Sequence, residues 1–306
     1  MRLEGGWREW VVTGRTALTI GVYDGVHRAH QAILERTASY GLRTAVLTFA
    51  VHPASVLSPG HVPTPLMSLD DRVRFLEIHG ADIVAPMPFD SQAATMPPEA
   101  FVEDVVVGVF NPGAVVVGSD FRFGSHASGS VETLREFGEI HGFETAVVDD
   151  IVDDGVPIRS SVIRQRIRSG DVVGAAHLLG RPHMLSGTVV PGDGRGKQIG
   201  FPTANLADVD MLIPARGVYA VTASVDGSHY HGVANIGVRP TFGGHQETLE
   251  VHLFDTDSDL YGATMRVWFR EYLRGEEKFS GVEALVTQIR VDCDAARAAL
   301  SHGADQ

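Results

Sequence analysis

The chain has 306 residues, 44% hydrophobic and 21% charged, which suits two ordinary domains with cores and excludes a disordered chain. A net charge of −13 excludes a general nucleic-acid or anionic-membrane binder, though not small anions held by local cations. One cysteine, Cys293, excludes an intrachain disulfide and a cysteine-built zinc site. No run approaches a membrane span, and Met1–Trp10 lacks the apolar core of a signal peptide, so a soluble cytoplasmic protein is expected.

In chain order, residues 17–23 read as an apolar strand, followed by a glycine turn and an amphipathic helix over 30–39. Further strands are expected at 42–49, 82–86, 114–117 and 145–148. Helices are expected at 70–79, 98–109 and 131–141, the second opened by Pro97-Pro98 and closed by Asn111-Pro112. Strands alternating with helices through short connections predict a doubly wound parallel α/β sheet. Helices follow at 160–168 and 171–179. Short alternating runs at 187–190, 218–225, 229–235, 247–254 and 264–269 then predict an antiparallel β domain, barrel or sandwich. A terminal helix over 281–301 places Val282, Leu285, Val286, Ile289 and Leu300 on one side. The domains are expected to divide into 1–182 and 183–306.

His27 and His30 stand three apart at the entrance to the first helix. That spacing puts both rings on one face, beside backbone N–H groups that favour anions. Two such rings can donate to a phosphorus centre as charge builds on it, whereas two ligands make a poor zinc site. Phe121 and Phe123 suit either stacking on a ligand or packing in the core. His52 and His126 can contact ligand or serve as ordinary surface residues.

In the second half, Gly192-Asp193-Gly194-Arg195-Gly196-Lys197 is a basic, glycine-rich loop of the kind that closes over phosphates. Gly200 and Pro202 impose a turn just after it, on which Thr203 and Asn205 present a hydroxyl and an amide. Hard oxygen ligands beside a phosphate loop suit Mg²⁺ bound together with a nucleotide. In Thr248–Leu253, alternation sends Leu249, Val251 and Leu253 to a core and Glu250 and His252 to the other face. A carboxylate there can act as a general base.

Gly187–Leu206 resembles the riboflavin kinase motif, and the likeness continues through Gly217-Val-Tyr219, Asn235-Ile-Gly237-Val-Arg239-Pro240-Thr241-Phe242, Glu250-Val-His252, Asp259-Leu-Tyr261-Gly262 and Phe279. Gly21–His30, Gly118–Gly124 and Arg159–Arg164 resemble the nucleotidylyltransferase superfamily, specifically the FMN adenylyltransferase module of bacterial bifunctional flavin enzymes. The resemblance implies a Rossmann-like nucleotidylyltransferase domain followed by an antiparallel β-barrel riboflavin kinase domain with a C-terminal helix. It implies that riboflavin and ATP give FMN, and that FMN and a second ATP give FAD and pyrophosphate, with Mg²⁺ as cofactor. It implies Glu250 as catalytic base of the kinase, Thr203 and Asn205 at the metal, and Gly192, Arg195, Gly196 and Lys197 at phosphate. It implies His27 and His30 as the adenylyl-transfer pair, with Gly21, Tyr23, Asp24, Gly25, Ser160, Ser161 and Arg164 around the nucleotide. His52, Asp120, Phe121, Phe123, Arg274 and Phe279 are expected on the flavin side. No nucleic-acid or membrane partner is expected, and a homo-oligomer is left open.

The first half departs from the family pattern. Ala29 replaces a glycine, Val51 a proline, Arg159 a serine, and Ser161 a threonine whose hydroxyl it keeps. Those departures motivate an alternative: a monofunctional riboflavin kinase whose N-terminal domain binds without turnover. A flavin-binding module, or a cytidylyltransferase acting on another phosphate ester, accounts for less of the sequence.

Overall fold

The structure, a computed structural model, describes residues 1–192, 194–241, 244–256 and 258–301, with backbone alone for 239–241 and 244–246. Asp193 and Phe242 of the expected motifs lie outside the described residues. The chain forms two compact units, Met1–Ser160 and Ser161–Gln306.

The first unit is built on five parallel strands: β1 (Thr16–Ile20), β2 (Arg43–Phe49), β3 (Ile83–Met87), β4 (Pro112–Gly118) and β5 (Glu144–Val148). Their order is β3-β2-β1-β4-β5, so the winding reverses between β1 and β4. Helices α1 (Arg28–Ala38), α2 (Leu69–Ile78) and α3 (Val131–His141) connect the strands, joined by a helical stretch over 98–110 whose central part, Phe101–Val107, is π-helical. That stretch ends at Asn111, which takes the left-handed conformation (φ 43°) just before Pro112. The sheet is covered on both faces, and β1 and β3 are buried along their whole length. Leu18, Ile20, Leu47, Ile83 and Phe110 belong to one core; Leu34, Val46, Leu76 and Val84 belong to another. A sheet buried on both faces reads as continuous apolar runs rather than alternation, as these strands do.

The second unit begins at the second residue of α4 (Ser160–Arg168) and includes α5 (Val172–Leu179). It continues as six strands: β6 (His183–Val190), β7 (Ala204–Ala207), β8 (Gly217–Val225), β9 (Ser228–Thr241), β10 (Gly244–Leu253) and β11 (Thr264–Arg274). They close into a barrel in the order β8-β9-β10-β7-β6-β11, which decides between barrel and sandwich. Leu185, Val189, Val221, Leu249, Val251, Val267 and Phe269 belong to its core, and Val172 of α5 joins them. The boundary between the units falls at 160/161, ahead of the expected domain boundary at 182/183.

α6 (Val282–Ser301) packs against β8, β9 and β11, burying Asp292, Ala296 and Leu300. Its expected apolar side is only partly realised. Val282 is 62% exposed, and the helix turns an aspartate inward because Arg274 of β11 pairs with it. β7 is absent from the sequence reading. Its four residues, Ala-Asn-Leu-Ala, are too few and too small to alternate visibly, and only its two neighbours β6 and β10 make it a strand.

Candidate functional site

In the first unit, the two motifs sit at the carboxyl ends of β1 and β4, on either side of the switch in winding. In open α/β sheets the ligand crevice lies there. His27 is the N-cap of α1: it lies just outside the helix expected to start at His30, and its Nδ1 accepts from the His30 N–H at 3.4 Å. With Nδ1 accepting, the neutral ring carries its proton on Nε2. The His27 and His30 rings stack with centroids 3.6 Å apart, and Tyr23 meets His30 edge-on at 4.9 Å. His27, Tyr23, Asp24 and Gly25 are all buried.

Tyr23 and Asp24 are engaged within the fold. The Tyr23 hydroxyl bonds Thr19 Oγ1, and burial pushes its pKa up. The Asp24 carboxylate accepts from the Leu66 N–H at 3.0 and 3.1 Å, and its carbonyl accepts from Ser160 Oγ at 2.9 Å. Arg72 was missed by sequence reasoning, since an arginine within a polar helix carries no signal. It is buried and donates to the carbonyls of Val22 (3.0 Å) and Phe49 (2.8 Å), tying the loop after β1 to the end of β2.

Beside this edge lies a largely apolar cavity of about 400 Å³, lined by Gly21, Phe49, Met87, Phe101, Phe121 and Phe123 among others. Phe121 and Phe123 stack at 5.6 Å with planes 19° apart. The cavity reaches Gly21 but not His27 or His30. His52 and Asp120 are not among its walls either. His52 Nδ1 accepts from the Ala54 N–H at 3.1 Å, while its neighbour Pro53 does line the cavity. Ser161 and Arg164 are in the second unit, within the first turns of α4, where Arg164 is buried.

In the second unit, two cavities share a wall. One, of about 380 Å³, is lined by apolar side chains including Ile199, Phe201, Val233, Phe279, Leu285 and Ile289. The other, of about 490 Å³, is lined mainly by polar groups, Thr203, Asn205, Asn235 and Thr248 among them. Arg195, Gly196, Thr203, Asn235, Glu250 and Glu276 line both. Glu250 therefore stands where the apolar space meets the polar space. The barrel fixes it there: Leu249 and Val251 are buried, while Glu250 pairs across the ladder with Asn205 of β7 on one side and Asn235 of β9 on the other.

The glycine-rich loop contains a helical turn, Arg195–Gln198, inside the stretch expected to be irregular. Arg195 and Gly196 line the cavities; Lys197 is exposed and lines neither. Gly192 packs against Asn205, and a Cβ there would stand 2.2 Å from Asn205 Nδ2. Arg274 and Phe279 both line the apolar cavity, with the guanidinium 5.7 Å from the ring. That guanidinium also forms a two-pronged ion pair with the buried Asp292 (2.8 and 2.7 Å). Asn235, Glu276 and Asp292 are site residues that sequence reasoning did not assign. Asn235 was visible in a quoted motif, whereas Glu276 and Asp292 are brought in only by the tertiary fold.

Residues 11–162 match the FAD synthetase family and residues 179–300 match the riboflavin kinase family. The bifunctional riboflavin kinase/FMN adenylyltransferase of Bacillus subtilis (strain 168) is 35% identical over 288 residues, covering 91% of this chain and 90% of that protein. The chain belongs to this bifunctional family. The Escherichia coli (strain K12) relative of the same description is 37% identical over 280 residues, covering 90% of each chain. A solved structure described as a macrolide-efflux protein from Streptococcus pneumoniae shares the fold, with a TM-score of 0.88, 30% identity, and coverage of 97% of this chain and 98% of that one. Among the described residues no helix is long and apolar enough to cross a membrane. Both enzymatic halves of the family are present, which favours the bifunctional reading over the monofunctional alternative.

Proposed function

We propose that the barrel unit phosphorylates riboflavin with ATP to give FMN, and that the parallel-sheet unit transfers AMP from a second ATP to FMN, giving FAD and pyrophosphate. The observation that supports the kinase assignment is the pair of cavities meeting at Glu250. An isoalloxazine ring suits the apolar space, a nucleotide polyphosphate suits the polar one, and the ribityl 5′-hydroxyl then reaches the seam. There Glu250 takes the proton of that hydroxyl as its oxygen attacks the γ-phosphorus of ATP, and ADP leaves.

The residues present fit Mg²⁺. Thr203 and Asn205 offer uncharged oxygens to the polar cavity, and the Asn205 amide packs against Gly192. Among the described residues no group of three or more His, Cys, Asp or Glu is arranged to hold a metal alone, so the ion would share its shell with phosphate oxygens. Bound so, Mg²⁺ would supply charge neutralisation. Arg195 and Gly196 face the same phosphates, and Gly192 and Lys197 complete the loop.

In the first unit we assign His27 and His30 to the α-phosphorus of ATP, where they donate hydrogen bonds as the FMN phosphate oxygen attacks and pyrophosphate departs. Gly21, Tyr23, Asp24 and Gly25 shape the turn that holds them, and Ser160, whose hydroxyl donates to the Asp24 carbonyl, binds a phosphate oxygen. Phe121 and Phe123 flank the flavin in the apolar cavity, and His52 and Asp120, which are not among its walls, are assigned to the flavin side by the family resemblance alone. The catalytic division is proposed at 182/183, and a cytoplasmic location follows from the use of ATP and the single cysteine. The composition argues against a nucleic-acid partner.

One incubation tests the whole reading. Pure protein with riboflavin, ATP and Mg²⁺ yields FMN and then FAD by chromatography. FMN accumulating with no FAD would select the monofunctional alternative.

A further inference from the structure

Glu276 lies in the segment after β11, and it lines both cavities of the second unit. Its carboxylate lies against Gly237 of β9. A Cβ on Gly237 would stand 2.9 Å from Glu276 Oε1 and 3.3 Å from Asn235 Nδ2, so the carboxylate and the amide both lie against this glycine. Asn235 is in turn the ladder partner of Glu250. Two carboxylates thus flank one amide at the seam, and the adjoining Glu277 also lines the apolar cavity.

Among the described side chains, the charges around this seam do not balance. Four carboxylates line the two cavities (Glu250, Glu276, Glu277 and Asp292) against two described guanidiniums, Arg195 and Arg274. Arg274 is committed to Asp292. The general base accounts for Glu250 alone. A further carboxylate at a phosphate-handling seam works against anion binding, through repulsion that falls only slowly with distance in a partly desolvated cleft. The two phosphorylated species meet this field differently. ATP enters as its magnesium complex, with much of its charge covered. FMN is left with a bare phosphate dianion at the seam, whereas riboflavin is neutral.

We propose that Glu276 is a specificity residue that makes the kinase cavity favour riboflavin over FMN, so that the product is repelled from the site in which it forms. The inference rests on the assignment of riboflavin to this cavity. It gives the second carboxylate a purpose in a chain whose first product is its own next substrate: FMN held by the kinase site is withheld from adenylylation.

The test is product inhibition in the full-length chain, followed as the initial rate of ADP formation, which reports the kinase reaction alone. The readout is the FMN inhibition constant divided by the KM for riboflavin. This ratio should fall about tenfold in Glu276→Gln and stay near the wild-type value in Glu276→Asp, which keeps the charge. In the wild type, raising salt from about 50 to about 500 mM should tighten FMN inhibition, the opposite of an attractive site, and Glu276→Gln should lose that dependence. An unchanged ratio in Glu276→Gln, or FMN inhibition that weakens with salt in the wild type, overturns the inference. Glu250→Gln separates the two levels. Undiminished ADP formation in Glu250→Gln overturns the assignment of the cavity and the inference with it. Loss of ADP formation there, together with an unchanged ratio in Glu276→Gln, overturns the inference alone.

Discussion

Glu250 and Asn205 stand opposite each other across the ladder between β10 and β7, so the proposed base and a proposed metal-side amide share one face of the barrel. Directly opposed residues in an antiparallel pair hold their Cβ atoms about 5 Å apart. The relative placement of the two Cβ atoms is therefore set by backbone hydrogen bonds rather than by side-chain rotamers.

Glu250→Gln keeps size and hydrogen bonding but cannot take the proton. Riboflavin phosphorylation should fall by about 10² to 10⁴, in kcat more than in KM. FMN supplied from outside should still become FAD at the wild-type rate. Assaying both reactions on one preparation checks this, and a fall in both would point to misfolding.

Gly192→Ala places a methyl group against Asn205 Nδ2 and so displaces the amide without removing it. The expected result is a raised KM for Mg-ATP in the kinase reaction with little loss of thermal stability. Thr203→Val, which keeps shape and deletes the oxygen, should act in the same direction. A titration of kinase rate against Mg²⁺ at fixed ATP reads both, and EDTA should stop the wild-type reaction.

Replacing His27 and His30 with alanine should abolish FAD formation and spare FMN formation. Loss of one transition-state donor costs about 10² to 10³ in rate. His27 also caps α1, and loss of a cap costs about 1 kcal/mol, so the melting temperature should be recorded alongside. Full retention of FAD synthesis would remove both rings from the chemistry.

His183 predicts an acid sensitivity of the barrel. It is 2% exposed, its ring Nε2 lies 2.8 Å from the Leu212 carbonyl, and burial pushes its pKa from 6.5 down to about 4. The unfolded chain takes up the proton below about 6.5 while the folded one does not. Stability should therefore fall as pH drops from about 6.5 to about 4 and level off below that. His183→Gln, which keeps an N–H donor, should flatten that part of the curve of melting temperature against pH. An unaltered curve would exclude His183 as its source.

A fragment beginning at Ser161 should fold and make FMN. One beginning at His183 lacks Val172, Leu178 and Leu179, which are all buried, and should melt several degrees lower. Thermal melts of the two fragments decide where the kinase unit begins.

Much of this was legible in the sequence because its signals are local. Prolines, glycines and apolar runs marked the strands and helices of the parallel sheet, and the Thr248–Leu253 alternation placed Glu250 on the face opposite Leu249 and Val251. What was hidden depends on contacts between distant residues. β7 is a strand only between its neighbours. Asp292 reads as an exposed helix residue until Arg274 draws it in. Glu276 reads as one of two loop glutamates until the fold brings it to the wall of both cavities. The pairing of an apolar cavity with a polar one is a property of the closed barrel and has no counterpart in any single segment.

Closure of that barrel also bears on how long the site persists. In an open sheet a marginal strand can peel away by breaking one ladder, and its amides exchange with solvent through that small event. β10 is laddered to β9 on one side and β7 on the other, so releasing Glu250 means breaking two ladders at once. Amide protons at Leu249, Glu250 and Val251 should accordingly exchange only as the whole unit opens. The Glu250 carboxylate would then keep its station for as long as the barrel itself survives.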